Sequence, residues 1–345
     1  MERPTRNWHE EWAFLHGNPP LEVPQLTAAD ISFEISDPDC LCRRPLVSIL
    51  TTIWNHEKWL DECIGSMVNQ KTDFEYEILL CEDWSTDSSR QICKSWQERY
   101  PDKIRILFGE NNLGVWKNCA LGAREARGRY LACLEGDDYW TDSLKLQKQV
   151  DLMRSGGYRA VVAWNDVLEE RSGKVNTLRF PILKEIVLGR FSFPYYHTST
   201  YLFEKILREE MLPYLNYVKA YDTVFIRLAL SLAGRIGILN EKVSVYRKTG
   251  MGIYTGAALS DKGEDGVRDA VAFLRVSPKN LLPLARHNYC SALFNYVIYS
   301  NYGGRRSIKL WLAFCLALMN ITFKVNTHAV LFLAASAVKS FLVRK

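Results

Sequence analysis

The 345-residue chain is 48% apolar and 24% charged, ordinary globular values with ample length for one large domain or two. Its net charge of +5 hides an asymmetry: the last 76 residues hold ten Lys or Arg and no acid, leaving 34 basic against 39 acidic residues in 1–269. The nine cysteines are scattered without paired C-x₂-C spacing and the six histidines show no H-E-x-x-H, which argues against a zinc site and for buried thiols in a reducing compartment.

Residues 1–45 are rich in Pro, Trp and charge and lack periodicity; they read as an extension wrapping the core. Met1-Glu2-Arg3-Pro4-Thr5-Arg6-Asn7 leads into polar sequence with no apolar h-region, so no secretory signal is expected. Leu46 to Thr52 is an apolar run of buried-strand type. Trp59 to Asn69 carries an apolar stripe at helical spacing through Leu60, Cys63, Ile64, Met67 and Val68. Strands are then expected at Glu75–Cys81, Ile104–Phe108 and Tyr130–Leu134. The alternating helices are expected at Ser88–Tyr100, Val115–Ala126 and Thr141–Met153. Such β-α alternation with short loops predicts an α/β fold with a mostly parallel, Rossmann-like sheet flanked by helices. Further on, strands are expected at Ala160–Trp164, Tyr201–Phe203 and Val243–Tyr246, and a helix at Asp222–Leu232. Residues 250–266, rich in glycine, read as a mobile loop. The boundaries expected are 1–45, 46–150, 151–268 and a helical, basic and apolar region at 269–345. In that last region the uncharged runs Leu310–Phe323 and Val325–Val338 are too short to cross a bilayer. Their lysine flanks suit helices lying in a membrane interface, with a packed helical cap as the plainer reading.

Parallel α/β sheets bind ligands beyond the carboxyl ends of their strands, and three polar clusters fall on that rim. They are Thr52 with Asn55, Glu82-Asp83, and Glu135-Gly136-Asp137-Asp138. Three acids within four positions repel one another unless a cation sits among them. Hard oxygen ligands in small number suit Mg²⁺ or Mn²⁺, completed by substrate phosphates. Read alone, the same stretch is an acidic turn opening a helix at Thr141-Asp142.

Val47-Ser48-Ile49-Leu50-Thr51-Thr52 with Asn55, Glu82-Asp83-Trp84-Ser85-Thr86-Asp87, Asn112-Leu113-Gly114 with Asn118, Gly128-Arg129-Tyr130 and Leu134-Glu135-Gly136-Asp137-Asp138 occur in an order and spacing that resemble family 2 glycosyltransferases of GT-A fold. The likeness is to bacterial members that build capsule, O-antigen or other surface glycans, and it covers roughly residues 46–150. It implies a first half that binds a nucleotide-sugar donor and a second half (151–268) that binds the acceptor. Asp83 would accept the N3–H of uracil or thymine, so a UDP- or dTDP-sugar is favoured. Thr52 and Asn55 would line the nucleoside pocket, with Glu82 and Glu135 standing where Asp is commoner. Asp137 and Asp138 would hold the metal on the diphosphate, and Lys117 and Arg247 would meet phosphate. Asp222 would be the base of an inverting transfer, beside Tyr221 and His197 on the acceptor side. The partners implied are a glycan or lipid-linked acceptor and, through the basic tail, an anionic membrane surface; no nucleic acid is expected. The location expected is the cytoplasmic face of the cell membrane, peripherally attached. The competing readings are a nucleotidyltransferase, which lacks its Gly-rich phosphate loop after Thr52, and a non-catalytic nucleotide-sugar-binding scaffold.

Overall fold

The computed structural model describes residues 33–109, 111–177, 183–187, 196–205, 226–250, 259–286, 288–289 and 291–292. Four strands form the parallel centre: β2 (Val47–Ile53), β3 (Tyr76–Glu82), β4 (Ile104–Phe108) and β5 (Tyr130–Cys133). They are buried at nearly every position, as continuous apolar strands must be when helices cover both faces. The helices α1 (Leu60–Val68), α2 (Ser89–Arg99), α3 (Val115–Glu125) and α4 (Lys145–Gly156) lie within a few residues of their expected bounds.

With β1 (Phe33–Ile35), β6 (Tyr139–Trp140), β7 (Ala160–Glu169), β10 (Leu202–Glu204) and β11 (Arg235–Lys248), the sheet runs β1-β4-β3-β2-β5-β10-β7-β11-β6. Short strands β8 (Lys174–Thr177) and β9 (Glu185–Val187) pair with β7 and β11. β10 is antiparallel to both β5 and β7, and β11 is parallel to β7. The carboxyl ends of β2, β3, β5, β7 and β11 therefore share one rim.

Alternate side chains feed two cores. Ile49 and Ile53 of β2 pack with Leu60, Ile64 and Met67 of α1 and with Leu146 and Val150 of α4. Leu50 packs on the opposite face with Cys119 and Ala123 of α3. That second core also takes Leu228 of α5 (Arg227–Ala233) and Phe273 of α6 (Leu259–Val276).

Three expectations are corrected. Residues 259–266 are the opening turns of α6 rather than loop. Their glycines lower helix propensity, but the buried stripe of Val267, Ala270, Val271 and Phe273 outweighs it. α4 starts at Lys145, four residues late, because Tyr139–Trp140 forms β6 against Ser244 and Val245 of β11. Asp142 serves the turn between them, accepting from the Leu144 N–H at 2.9 Å. Finally, α6 runs across the expected boundary at 268/269, and Leu284 and Ala285 join the core. This stretch of the tail is a packed helical cap. Residues 293–345, which hold the two uncharged runs, lie outside the described residues, as do 1–32. No helix among the described residues is long and apolar enough to cross a membrane.

At the amino ends of the strands, buried Glu77 is held by the Ser48 hydroxyl (2.6 Å), the Arg127 N–H (2.7 Å) and the guanidinium groups of Arg127 and Arg105. Arg105 also forks onto Glu34 at 2.8 and 2.9 Å, stapling β1 to the sheet edge.

Lys145 is fully buried, its ammonium 4.1 Å from the Trp140 ring centroid and donating to Gln149 Oε1 at 2.8 Å. Burial pulls its pKa down to about 7. The unfolded chain then binds more protons than the folded one from about pH 7 up to the ordinary lysine range, so the Lys145 contribution to stability rises with pH there. Urea unfolding at pH 7 and pH 9 should show Lys145→Met gaining most over wild type at pH 7. The gap should narrow by up to about 1.4 kcal/mol per pH unit; a gap independent of pH would contradict a buried titrating lysine.

Candidate active site

The rim is built from loops that bond to one another before they bond to anything else. After β2 the chain turns at Asn55, which has φ 58°, a conformation asparagine tolerates. Its N–H donates to Ser85 Oγ at 3.0 Å and its side-chain oxygen accepts from the Thr86 N–H at 2.8 Å. The Glu57 N–H donates to Asp87 Oδ2 and the Ser88 N–H to Glu57 Oε2, at 3.0 and 2.9 Å. The loops after β2 and β3 are thereby one unit. Asn55 is thus a loop brace as well as a rim residue, while Thr52 stands half-buried at the strand end.

Glu82 is buried and both its oxygens are engaged by the chain: Oε1 by the Ser85 N–H at 2.6 Å, Oε2 by Arg90 at 2.8 Å. Asp83, 3% exposed, accepts from the Leu113 N–H at 2.7 Å. Burial pushes its carboxyl pKa up, against the backbone N–H groups of Leu113 and Gly114, which lower it. Lys117 lies in the first turn of α3, half-buried and without an ion-pair partner among the described residues. Two indoles that the motif reading passed over stand exposed here, Trp54 at 48% and Trp84 at 46%. Trp84 has φ 59°, rare for a bulky side chain, and its ring lies 5.0 Å from the Arg90 guanidinium.

Beyond β5, backbone pairing with β2 continues: the Leu134 N–H donates to Leu50 O at 3.0 Å and the Gly136 N–H to Thr52 O at 3.2 Å. Glycine is required at 136 because a Cβ there would meet His56 Nδ1 at 2.4 Å. The close neighbour is thus the His56 ring. Glu135 accepts from Thr198 Oγ1 at 2.9 Å. Asp137 is partly exposed, and its pKa is raised by burial against the lowering pull of His56. Asp138 is 1% exposed. Burial, then the charges of Asp137 and Glu135, push its carboxyl well above the usual range. Its Oδ1 accepts from the Arg247 N–H at 2.8 Å, while Oδ2 is buried without a hydrogen-bond partner among the described residues, 3.7 Å from His197 Nδ1.

His197 stacks on Tyr246 with centroids 4.2 Å apart and sits 2.8 Å from Ser199 Oγ. Burial drops its pKa to about 3, so the ring is neutral at pH 7. Arg247 is 8% exposed, and its guanidinium is shared among protein partners. It donates to the Asp137 carbonyl at 2.8 Å, Glu62 at 2.5 Å and Glu170 at 3.4 Å, and lies 5.1 Å from the Tyr139 ring centroid. Glu170 also accepts from Trp59 Nε1 at 3.1 Å. Glu62 and Glu170 lay outside the motif reading, since a carboxylate on a helix's polar face gives no sign that it meets an arginine 185 residues away. Tyr221 and Asp222 lie outside the described residues.

β2 lies between β3 and β5, so Asp83 and the Glu135–Asp138 turn stand two strand spacings apart, roughly 10 Å along the rim. No group of three or more His, Cys, Asp or Glu suited to a metal ion occurs among the described residues. Two carboxylates, one with an orphaned buried oxygen, can still complete a cation's shell with the oxygens of a bound diphosphate.

Residues 48–208 match the family model described as glycosyl transferase family 2. The chain is 34% identical over 112 residues to a putative teichuronic acid biosynthesis glycosyltransferase, TuaG, of Bacillus subtilis, covering 32% of this chain and 42% of that protein. It is 29% identical over 217 residues to an uncharacterised protein of Mycobacterium bovis, and spans 61% of the length of that relative. Among solved structures it is similar to S. aureus TarS 1–349 at TM-score 0.53 and 17% identity, over 79% of this chain and 80% of that one. The fold is that of GT-A glycosyltransferases.

Because Arg247 joins β11 to α1, the turn after β7 and the acidic turn, Arg247→Met should cost roughly 1.5–3 kcal/mol in urea unfolding, the weight of hydrogen bonds to charged groups. Arg247→Lys should recover only part, since an ammonium cannot fork. A loss below about 0.5 kcal/mol for both would show the network to be a surface arrangement.

Proposed function

We propose, with the match of residues 48–208 to glycosyl transferase family 2 as premise, that the chain transfers a sugar from a nucleotide-sugar donor to a hydroxyl of a bacterial surface glycan or its lipid-linked precursor. The observation that carries this reading is the placement of Asp83 and the Glu135–Asp138 turn on one rim, two strands apart. Asp83 supports a UDP- or dTDP-sugar, because a carboxylate accepts the N3–H of uracil or thymine and meets an acceptor atom in cytosine. Trp54 and Trp84 offer flat apolar faces beside it. Thr52 and Asn55 line the same pocket, and Glu82 keeps the Asp83 loop in shape through Ser85 and Arg90.

Asp137 and Asp138 would hold a divalent ion, Mg²⁺ or Mn²⁺, whose chemistry there is to neutralise the leaving diphosphate. Repulsion within the acidic turn supports this, because a cation relieves it. Glu135, oriented by Thr198, faces the sugar side. His197, neutral, contributes shape and hydrogen bonding rather than charge. Asp222 is proposed as the base that takes the acceptor proton in an inverting displacement, with Tyr221 beside it at the acceptor. Lys117 remains a candidate for phosphate. TuaG and the minor teichoic acid biosynthesis protein GgaA of Bacillus subtilis, 27% identical over 225 residues, support an acceptor of the cell-wall polymer class. The basic tail supports attachment to an anionic membrane face.

A panel of UDP-, dTDP- and GDP-sugars, assayed for hydrolysis and transfer with and without Mn²⁺, tests the reading. Asp137→Ala should abolish both activities and Asp83→Ala should weaken the preference for uracil or thymine nucleotides. Asp222→Ala should keep donor binding and lose transfer by roughly 10²–10⁴-fold, the weight of a general base; transfer at the wild-type rate would remove Asp222 from that role. For the tail, ending the chain after residue 292 spares the packed helices, whereas ending it at 269 would strip Phe273 and Ala285 from the core. The shorter chain should leave the membrane fraction while staying folded, and continued sedimentation with membranes would contradict attachment by the tail.

A further inference from the structure

The family resemblance implies that Arg247 meets phosphate. In the structure that guanidinium is spent on Glu62, Glu170 and the Asp137 carbonyl. An anion arriving from the acceptor side also meets the carboxylates of Glu62, Glu170 and Asp137, all of which repel it. Cations further out must therefore do the work, and the fold supplies two of them at the carboxyl ends of β7 and β11.

There, a cavity of about 330 Å³ is lined by Glu169, Arg171, Lys248 and Gly250. Lys248 follows Arg247 on β11 and pairs in register with Glu169 of β7, its Nζ donating to the Glu169 carboxylate at 2.8 Å. Arg171 sits on the turn between β7 and β8, where the Ser172 and Gly173 N–H groups close onto Glu169 O at 3.1 and 2.9 Å. It is exposed and makes no ion pair or hydrogen bond among the described residues. Gly250 has φ 78°, and a Cβ there would lie 3.8 Å from the Arg171 Nε and Nη2 atoms. A larger side chain at 250 would therefore begin to cover the guanidinium, which glycine leaves open. Among the described residues of the lining the one acid, Glu169, is already bonded to Lys248, which leaves the Arg171 guanidinium without a carboxylate partner there. A planar fork of donors open to solvent suits a phosphate or carboxylate better than a neutral sugar.

The geometry points to Arg171 and Lys248 as a recognition site for an oxyanion carried by the acceptor glycan, a phosphodiester or a uronate carboxylate, placed one residue beyond the pinned Arg247. This rests on the glycosyltransferase reading. It adds a selectivity that the donor rim cannot provide: the enzyme takes charged acceptor chains in preference to neutral ones. Glu170, beside Arg171 in sequence and bonded to Arg247, links the site to the acidic turn.

The test is isothermal titration of the full chain, at two salt concentrations, with three oligomers of similar length: a glycerol phosphate chain, a uronate-containing glycan and a neutral glucan. UDP with Mn²⁺ is titrated separately. Wild type should bind at least one anionic oligomer and not the glucan, and more weakly at the higher salt. Arg171→Ala should lose roughly tenfold in that affinity, the weight of about one charge-assisted hydrogen bond, with partial recovery in Arg171→Lys. Arg235→Ala, which removes an exposed guanidinium elsewhere, serves as the control and should bind like wild type. The stronger of the two anionic oligomers identifies the oxyanion. Equal binding of the glucan, or anionic binding unchanged in both Arg171→Ala and Lys248→Gln, would overturn the site. So would an equal loss of UDP affinity in Arg171→Ala, which would assign these cations to the donor. Failure of wild type to bind any nucleotide would instead sink the glycosyltransferase reading, whatever the oligomers do.

Discussion

Like charges crowded into a space with little water are the constraint around which the rim is arranged. Glu135, Asp137 and Asp138 follow a four-residue strand, and continued pairing of that segment with β2 through Leu134 and Gly136 fixes where they stand. Asp138 is driven inside, where the Arg247 N–H meets one oxygen and no described residue bonds to the other. Such a turn is costly in isolation. It persists because β11, α1 and the turn after β7 all contribute to the arginine behind it, and a bound cation would relieve it further.

The two halves of the sheet contribute differently. β2, β3 and β5 deliver acids and flat indole faces, with loops locked together by Asn55, Asp87 and Glu57. β7 and β11 deliver the brace and, beyond it, Arg171 and the Lys248–Glu169 pair. β10, antiparallel between β5 and β7, joins these halves, and the turn before it carries His197 and Thr198 to the acids. The site is thus assembled across a seam in the sheet, with hydrogen bonds from Thr198 and Arg247 to the acidic turn joining the two sides.

Much of the first half was legible in the sequence because it obeys simple rules. Buried parallel strands are apolar at nearly every position, so β2 to β5 stood out, and the first helix between them showed its stripe at Leu60–Val68. The rim rule then selected Asp83 and the Glu135–Asp138 turn without any coordinates. What stayed hidden was set by partners distant in sequence. β6 is two residues long and exists only because β11 pairs with it. Arg247 looked like a free cation because Glu62 and Glu170 come from other elements. Gly263 and Gly266 argued for a loop where the buried face of Val267 to Phe273 imposes a helix. Tyr221 and Asp222, expected at the acceptor, rest on the sequence alone.

The central claim is that the acidic turn and a nucleotide diphosphate together make one cation site that neither makes alone. Mn²⁺ binding, followed by electron paramagnetic resonance with and without UDP, addresses it most directly. The account predicts weak binding to the free chain, a gain of tenfold or more when UDP is present, and loss of that gain in Asp137→Asn. Equal Mn²⁺ affinity with and without UDP, or a gain that survives in Asp137→Asn, would contradict it.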